Sequence, residues 1–467
     1  LKKTSNMKNI KIVFCLLCIL ISQNTLAQKK ILDHPDFDIW NRVRSPKLSA
    51  EGDFIIYSIE KGEKDQHIKI KDNQSNLIFD YERSESGELT YDSKFAVFTI
   101  KAWKDSIVEM KRRKVKKDKM PKDTIGIFNL EDNSFRKIAN IKSYKLPEKW
   151  SGFIAYTFDH TPFNKNKKSK DSTQNKKVKK SSSKNGYPLV IRDLETEKED
   201  TIHFVTNYTF AKKGMILSYT TTGIKDSIKP GVYVKNLKSN NTKQVYESHD
   251  KTKYFKLNLS NSGDNLAFVI DADSTKTYQR PYEIYTWDSS ASKAKLVLDK
   301  NSSPNGYRVS SDGEVKFSKD ESKLYFGLAL PEIVQDTLLL KEEIVNVEVW
   351  TYDEPRLYTV QEQQVKNDRK KSFQTVYHLK EDELIQIATK EFPNALLSNE
   401  GDGDYALISN PEPYQLTSQW TGQFSKNDLA IININNGDSK LAIESNPSTA
   451  RFSPKGEYAF GYNQVDS

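Results

Sequence analysis

The sequence predicts an all-β fold, a β-propeller of four-stranded blades, on three observations. One hairpin pattern recurs: Leu259-Ser260-Asn261-Ser262-Gly263-Asp264-Asn265-Leu266-Ala267-Phe268 has counterparts at residues 48–57, 317–326 and 452–460. Each sets an apolar residue and a serine before a tight polar turn, then a short apolar strand, which is the chemistry of two strands joined by a sharp bend. A second kind of hairpin alternates with the first, and two hairpins supply the four antiparallel strands of one blade. Composition agrees, because Tyr (23) and Phe (22) far outnumber Met (4), as suits a core built from strands.

In chain order, residues 1–27 read as upstream residues followed by a secretory signal. Lys8 and Lys11 give the positive start, residues 12–21 the apolar core, and Thr25-Leu26-Ala27 the cleavage site. Ten apolar residues are too few for a bilayer span, so no stable membrane anchor is expected and the chain is placed in the periplasm or outside the cell. Both cysteines, Cys15 and Cys18, lie inside that signal. The exported chain therefore has no disulfides and no thiolate metal ligands.

Residues 28–467 are assigned to the propeller. First-type hairpins open at Leu48, Leu89, Phe153, Phe210, Leu259, Phe317, Leu397 and Phe452. Second-type hairpins follow the first seven, around Ile68, Ile125, Leu189, Val232, Ile284, Val376 and Leu429. The spacing from Leu48 to Leu89 is 41 residues and that from Leu259 to Phe317 is 58, against about 40–45 for a compact blade. The surplus falls in basic low-complexity loops at 104–123 and 162–186 and in a long insertion at 331–372. The count gives seven to eight blades. Because the last begins at Phe452 and lacks its outer pair, the sequence is expected to continue beyond Ser467, since unpaired edges are avoided.

The net charge of +9 is unevenly spread. Removing the four lysines of residues 1–27 leaves +5, of which residues 111–122 carry +7 and residues 165–184 carry +8. The rest of the chain stands at −10. The basic runs are rich in Lys, Ser and Asn and almost free of aromatics, so they read as solvated loops and no nucleic-acid partner is expected.

Several stretches together resemble secreted bacterial serine peptidases of the prolyl oligopeptidase family. They are Trp40 leading into residues 48–57, Lys119-Met120-Pro121-Lys122-Asp123-Thr124-Ile125-Gly126-Ile127, and the Lys-rich loop before Leu189-Val190-Ile191-Arg192-Asp193-Leu194. To these add Val347-Glu348-Val349-Trp350-Thr351-Tyr352-Asp353, and Pro413-Tyr414-Gln415-Leu416-Thr417-Ser418-Gln419-Trp420-Thr421-Gly422 running on to Phe452-Ser453-Pro454-Lys455-Gly456. The resemblance implies a propeller of seven or eight blades that limits entry of short peptides to a C-terminal α/β-hydrolase domain lying outside this sequence. It also implies that loops facing such a domain orient the peptide. Trp350, flanked by Glu348, Asp353 and Glu354, is the expected substrate-facing rim.

No Gly-x-Ser-x-Gly nucleophile elbow occurs. Gly437-Asp438-Ser439 sits at a hairpin turn, so no catalytic residue is assigned and this chain alone is expected to be inactive. The six histidines show no metal-ligand spacing, Glu400-Gly401-Asp402-Gly403-Asp404 occupies a turn position, and there is no phosphate-binding loop. No cofactor is expected; the oligomeric state and peptide specificity stay open. Two other readings remain: a periplasmic propeller of the Tol type that binds a protein partner, and a propeller enzyme using paired carboxylates on its axis, such as a glycan-cleaving one.

Overall fold

The computed structural model describes residues 32–463, apart from 35, 37–39, 63, 160–179, 225–226, 276, 335, 337, 341, 346 and 348. The expected signal and the core of the second basic loop lie outside the described residues.

The strands follow one another as antiparallel meanders. The first sheet is β1 (Asn41–Leu48), β2 (Phe54–Lys61), β3 (His67–Asp72) and β4 (Leu77–Glu82). Then come β5 (Ser84–Leu89), β6 (Phe95–Ile100), β7 (Asp123–Asn129), β8 (Phe135–Lys145), β9 (Phe153–Phe158), β10 (Tyr187–Asp193), β11 (Glu199–Phe210), β12 (Ile216–Thr221), β13 (Gly231–Asn236) and β14 (Asn241–Glu247), hydrogen-bonded in one continuous run of ten strands.

Two long strands divide that run. β8 pairs with β7 as far as Ile141 and with β9 from there on, next to a left-handed Asn140 (φ 62°). β11 changes partner from β10 to β12 at Val205, beside Phe204 (φ 55°). Each is the outer strand of one meander and the first strand of the next, so the ten strands make the second, third and fourth sheets.

The fifth sheet is β15 (Lys253–Leu259), β16 (Asn265–Asp271), β17 (Glu283–Asp288) and β18 (Lys295–Leu298). In the sixth, the first strand is split into β19 (Arg308–Val309) and β20 (Lys316–Phe317), both pairing with β21 (Lys323–Ala329), which is followed by β22 (Phe373–His378) and β23 (Glu383–Gln386). The seventh is β24 (Asn394–Leu397), β25 (Tyr405–Asn410), β26 (Asn427–Asn433) and β27 (Ser439–Asn446). A short hairpin, β28 (Arg451–Phe452) with β29 (Ala459–Phe460), closes the series. Among the described residues no strand pairing joins it, or the seventh sheet, to the first.

The sheets stack face to face because their middle strands are apolar on both faces, where a half-exposed strand would alternate. β16 shows the rule. Leu266, Phe268 and Ile270 share a core with Val232 and Val234 of the fourth sheet, while Ala267 and Val269 share another with Leu324 and Phe326 of the sixth. Comparable cores join the first sheet to the second (Ile56, Ile68 and Ile70 with Phe98), the second to the third (Val97 with Tyr156), the third to the fourth (Ile191 with Leu217) and the sixth to the seventh (Val376 with Ile408). Both terminal sheets expose apolar strand residues: Val43 and Leu48 at one end of the array, Leu441 and Ile443 at the other.

Among the described residues three α-helices interrupt the strands and correct the sequence reading. Residues 104–123, expected as a low-complexity loop, contain α1 (Lys104–Arg112). The 331–372 insertion contains α2 (Tyr358–Asp368), and the stretch ending at Gly422 forms α3 (Glu412–Thr421). Composition concealed α1, yet its charges suit a helix. Asp105 lies in the first turn, Lys111 and Arg112 in the last, and Arg113 pairs with Glu109 at 2.8 Å, all complementary to the helix dipole. Gly422, at φ 68°, terminates α3 in the left-handed conformation glycine adopts without strain. No helix among the described residues is long and apolar enough to cross a membrane.

Buried tyrosines make the fold sensitive to alkali. Burial pushes the Tyr208 hydroxyl up to about 12, and it raises Tyr156, Tyr219, Tyr254 and Tyr325 as well. Unfolded, these groups lose their protons near the ordinary value of 10.0; folded, they keep them. Their contribution is therefore complete below pH 10 and lost as the pH climbs toward 12. Denaturation midpoints measured across that window are expected to fall with each step, in parallel with cooperative appearance of tyrosinate absorbance. Midpoints that stay level would show that the tyrosines ionise without opening the sheets.

Candidate functional site

In a four-stranded meander the first and third turns share one end and the connection between second and third strands lies at the other. The two ends differ sharply here. At the first, the turns between first and second strands touch in series. The amide of Lys149 donates to the Lys212 carbonyl (3.0 Å) and that of Lys213 to the Asn261 carbonyl (2.7 Å). Ser262 donates its amide and its hydroxyl to Glu321 (both 2.6 Å), and Asp320 N–H donates to Asp402 Oδ1 (2.8 Å). The approach is close: a Cβ on Gly214 would stand 1.8 Å from the Ser262 carbonyl oxygen, so this turn accepts only glycine. The acidic run at 400–404 is one of these turns, with Gly401 N–H donating to the Ser398 carbonyl.

The opposite end carries the described residues of the connections 101–122, 222–230, 272–282, 330–372 and 411–426, including the three helices found among them. The 331–372 insertion is tied down at several points. Gln279 Nε2 donates to the Glu332 carbonyl (3.0 Å) and Arg308 pairs with Glu332 (3.0 Å). Gln419 of α3 donates to the Pro355 carbonyl (2.9 Å) and accepts from Leu357 N–H (2.8 Å). Arg356 makes a bidentate pair with Asp368 of α2. Gln279 is itself placed by Arg280, whose guanidinium grips the fully buried Asp271 through two bonds of 2.7 and 2.8 Å. Beside them, hydrogen bonds from the Thr275 hydroxyl and amide hold Asp273 down at about 2.

The expected rim residues divide as follows. Trp350 is largely exposed and stacks on Tyr358 (ring centroids 4.4 Å apart, planes 26° apart), so one face of the indole is covered by α2 and the other is open. Glu354 accepts from Gln361 Nε2 (3.2 Å), and Asp353 is exposed. Glu348 lies outside the described residues. In the same insertion Ile333, Leu338, Val347, Val349 and Tyr352 are also exposed, as are Trp420 in α3 and Phe424 just after it.

At the end that carries the first turns, where the first strands finish, lies an axial cavity of 490 Å³ that the sequence did not disclose. It is lined by the first strands of five consecutive sheets: Glu88 on β5, Tyr144 and Lys145 on β8, Thr209 and Phe210 on β11, Asn258 and Leu259 on β15, and Lys316 and Phe317 on β20. First strands converging on one cavity, with later strands stepping outward, is the arrangement of propeller blades. Register shifts between first and second strands, as at Glu85/Glu88 and Ile141/Ser143, bend the first strands at this position.

No family model and no curated relative matches the chain. Solved structures do share its outline. The acylaminoacyl peptidase of Pyrococcus horikoshii aligns with 89% of this chain and 55% of its own at 12% identity and a TM-score of 0.34. The β-propeller domain of the Trilobed protease from Pyrococcus furiosus aligns with 88% of this chain and 98% of its own, at 12% and 0.34. Oligogalacturonate lyase from Vibrio parahaemolyticus covers 79% and 88% at 10% and 0.33. The chain thus spans about half the length of the first peptidase. The first two are named as a peptidase and a protease, the third as a lyase.

Proposed function

We propose that this chain is the propeller module of an exported serine peptidase, admitting short peptides to an α/β-hydrolase domain encoded beyond Ser467. The observation that carries this reading is the axial cavity lined by the ends of successive first strands, with the long insertions among the described residues gathered at the opposite end of the same sheets. That geometry suits a passage with a decorated mouth, and the resemblance in sequence supplies the partner domain. In this reading the ring has seven or eight blades. Its closure covers the exposed apolar faces of the first and seventh sheets. Trp350, Asp353, Glu354 and Glu348 form the rim, where carboxylates meet a peptide's amino terminus and the indole its side chain. The chain itself contributes no nucleophile; acyl transfer belongs to the hydrolase domain.

The exposed aromatic and aliphatic surface around Trp350 and Trp420 favours a second reading, a propeller that binds a protein partner at that end. The nucleotide sequence following Ser467 separates the two. A strand, Gly-x-Ser-x-Gly and helix within roughly 150–300 residues supports the peptidase. A stop codon after about one further blade, roughly 40–45 residues, overturns it in favour of the binder.

A further inference from the structure

The charges lining the axial cavity do not cancel one another. Its two carboxylates are already held, Glu88 by Lys47 at 2.8 Å and Glu148 by Lys212 at 2.9 Å. Lys316 stands 3.5 Å from Glu314. Lys145 differs. Its ammonium donates to the Tyr208 carbonyl at 2.7 Å and, among the described residues, has no carboxylate partner. An ammonium has three donors, and a neutral carbonyl takes one without balancing the charge. The crowding first strands disfavour the charged form and lower the pKa of Lys145, although the side chain opens onto the cavity. Tyr144, Phe210, Leu259 and Phe317 give the same space apolar walls, and Asn258 adds an uncharged donor.

We propose that the axial cavity is a binding site for a carboxylate, with Lys145 as its charge partner and the surrounding aromatic and aliphatic side chains holding the body of the ligand. An arriving carboxylate gains charge-assisted hydrogen bonds from donors that no side-chain anion occupies. The cavity's own acids, already neutralised by Lys47 and Lys212, do not oppose it. Two kinds of molecule offer this chemistry, a peptide through its C-terminal carboxylate and a sugar acid through its uronate group. The site does not depend on the peptidase reading, since it needs only the cavity wall.

The test is binding to the full chain, followed by calorimetry or by ligand-observed NMR. The probes are N-acetyl-diglycine and its C-terminal amide in one arm, and glucuronate and glucose in the other. Each acid is expected to bind about tenfold more tightly than its neutral counterpart. That comparison requires no substitution. The arm with the greater affinity identifies the source of the carboxylate. Lys145→Met, which keeps the aliphatic stem, is expected to abolish the difference between acid and neutral probe, while Lys229→Met, at an exposed pair with Glu247 outside the cavity lining, leaves the preference for the acid in place. Equal binding of acid and neutral probe by the unsubstituted chain, or no saturation by about 10 mM, overturns the proposal. So does a Lys145→Met chain that folds and retains the preference.

Discussion

Replacing Arg280 by Met is expected to cost about 3–5 kcal/mol of stability, among the largest effects of any single change in the molecule. Asp271 is 1% exposed, and Arg280 answers both of its oxygens. The same guanidinium also donates to the carbonyls of Thr275 (2.8 Å) and Asp273 (2.5 Å), so it shapes the whole 272–282 connection. Remove it and a buried carboxylate keeps only the Asp273 amide at 3.1 Å and, as charge partner, Lys253 at 3.6 Å from the solvent side. The loss comes mainly from stranding that charge. It follows that Asp271→Leu combined with Arg280→Met should recover much of what Arg280→Met alone gives up, a coupling a double-substitution cycle measures. Urea midpoints provide the reading. A single variant within about 0.5 kcal/mol of the parent would show that Asp271 is neutralised from elsewhere.

Phe98→Ala is the second such case. The Phe98 ring is fully buried between the first and second sheets, with the rings of Phe79, Tyr81 and Phe135 centred 5.7, 6.0 and 5.8 Å away. Gly126 on the neighbouring strand leaves room for it, since a Cβ there would lie 2.6 Å from the ring. Truncation opens a cavity in the core that joins the first sheet to the second, at about 3–5 kcal/mol. Phe98→Leu refills most of that volume and should cost less. Because the first sheet has no neighbour on its other face among the described residues, its strands should lose hydrogen-exchange protection before those of the fifth sheet. Uniform loss across all sheets would show that the array melts as one unit.

What the sequence disclosed, and what it hid, follows from where each strand sits. The turn at Ser260–Asp264 and the strand after it were visible because the turn needs Ser and Gly, and because Leu266 to Ile270 are buried on both faces. The first strands were mostly missed. Tyr144 and Lys145, and Asn258, line an open cavity, so polar residues are tolerated there and the apolar signal fades. The helices were hidden for a related reason: α1, α2 and α3 have no buried residues, and without a core face there is no apolar stripe to find. Trp350 was singled out as a rim aromatic; that it is exposed and stacks on Tyr358 depends on α2 folding back. Lys145 was beyond sequence reasoning, because what distinguishes it is which acids are already paired around it.

The most direct test of the account is an experimental density map that traces the strands of the second to sixth sheets. The account predicts β5, the second halves of β8 and β11, β15 and β20 lining a single open passage, with each successive strand farther from it. A map in which those same strands are buried between two face-packed sheets would contradict it.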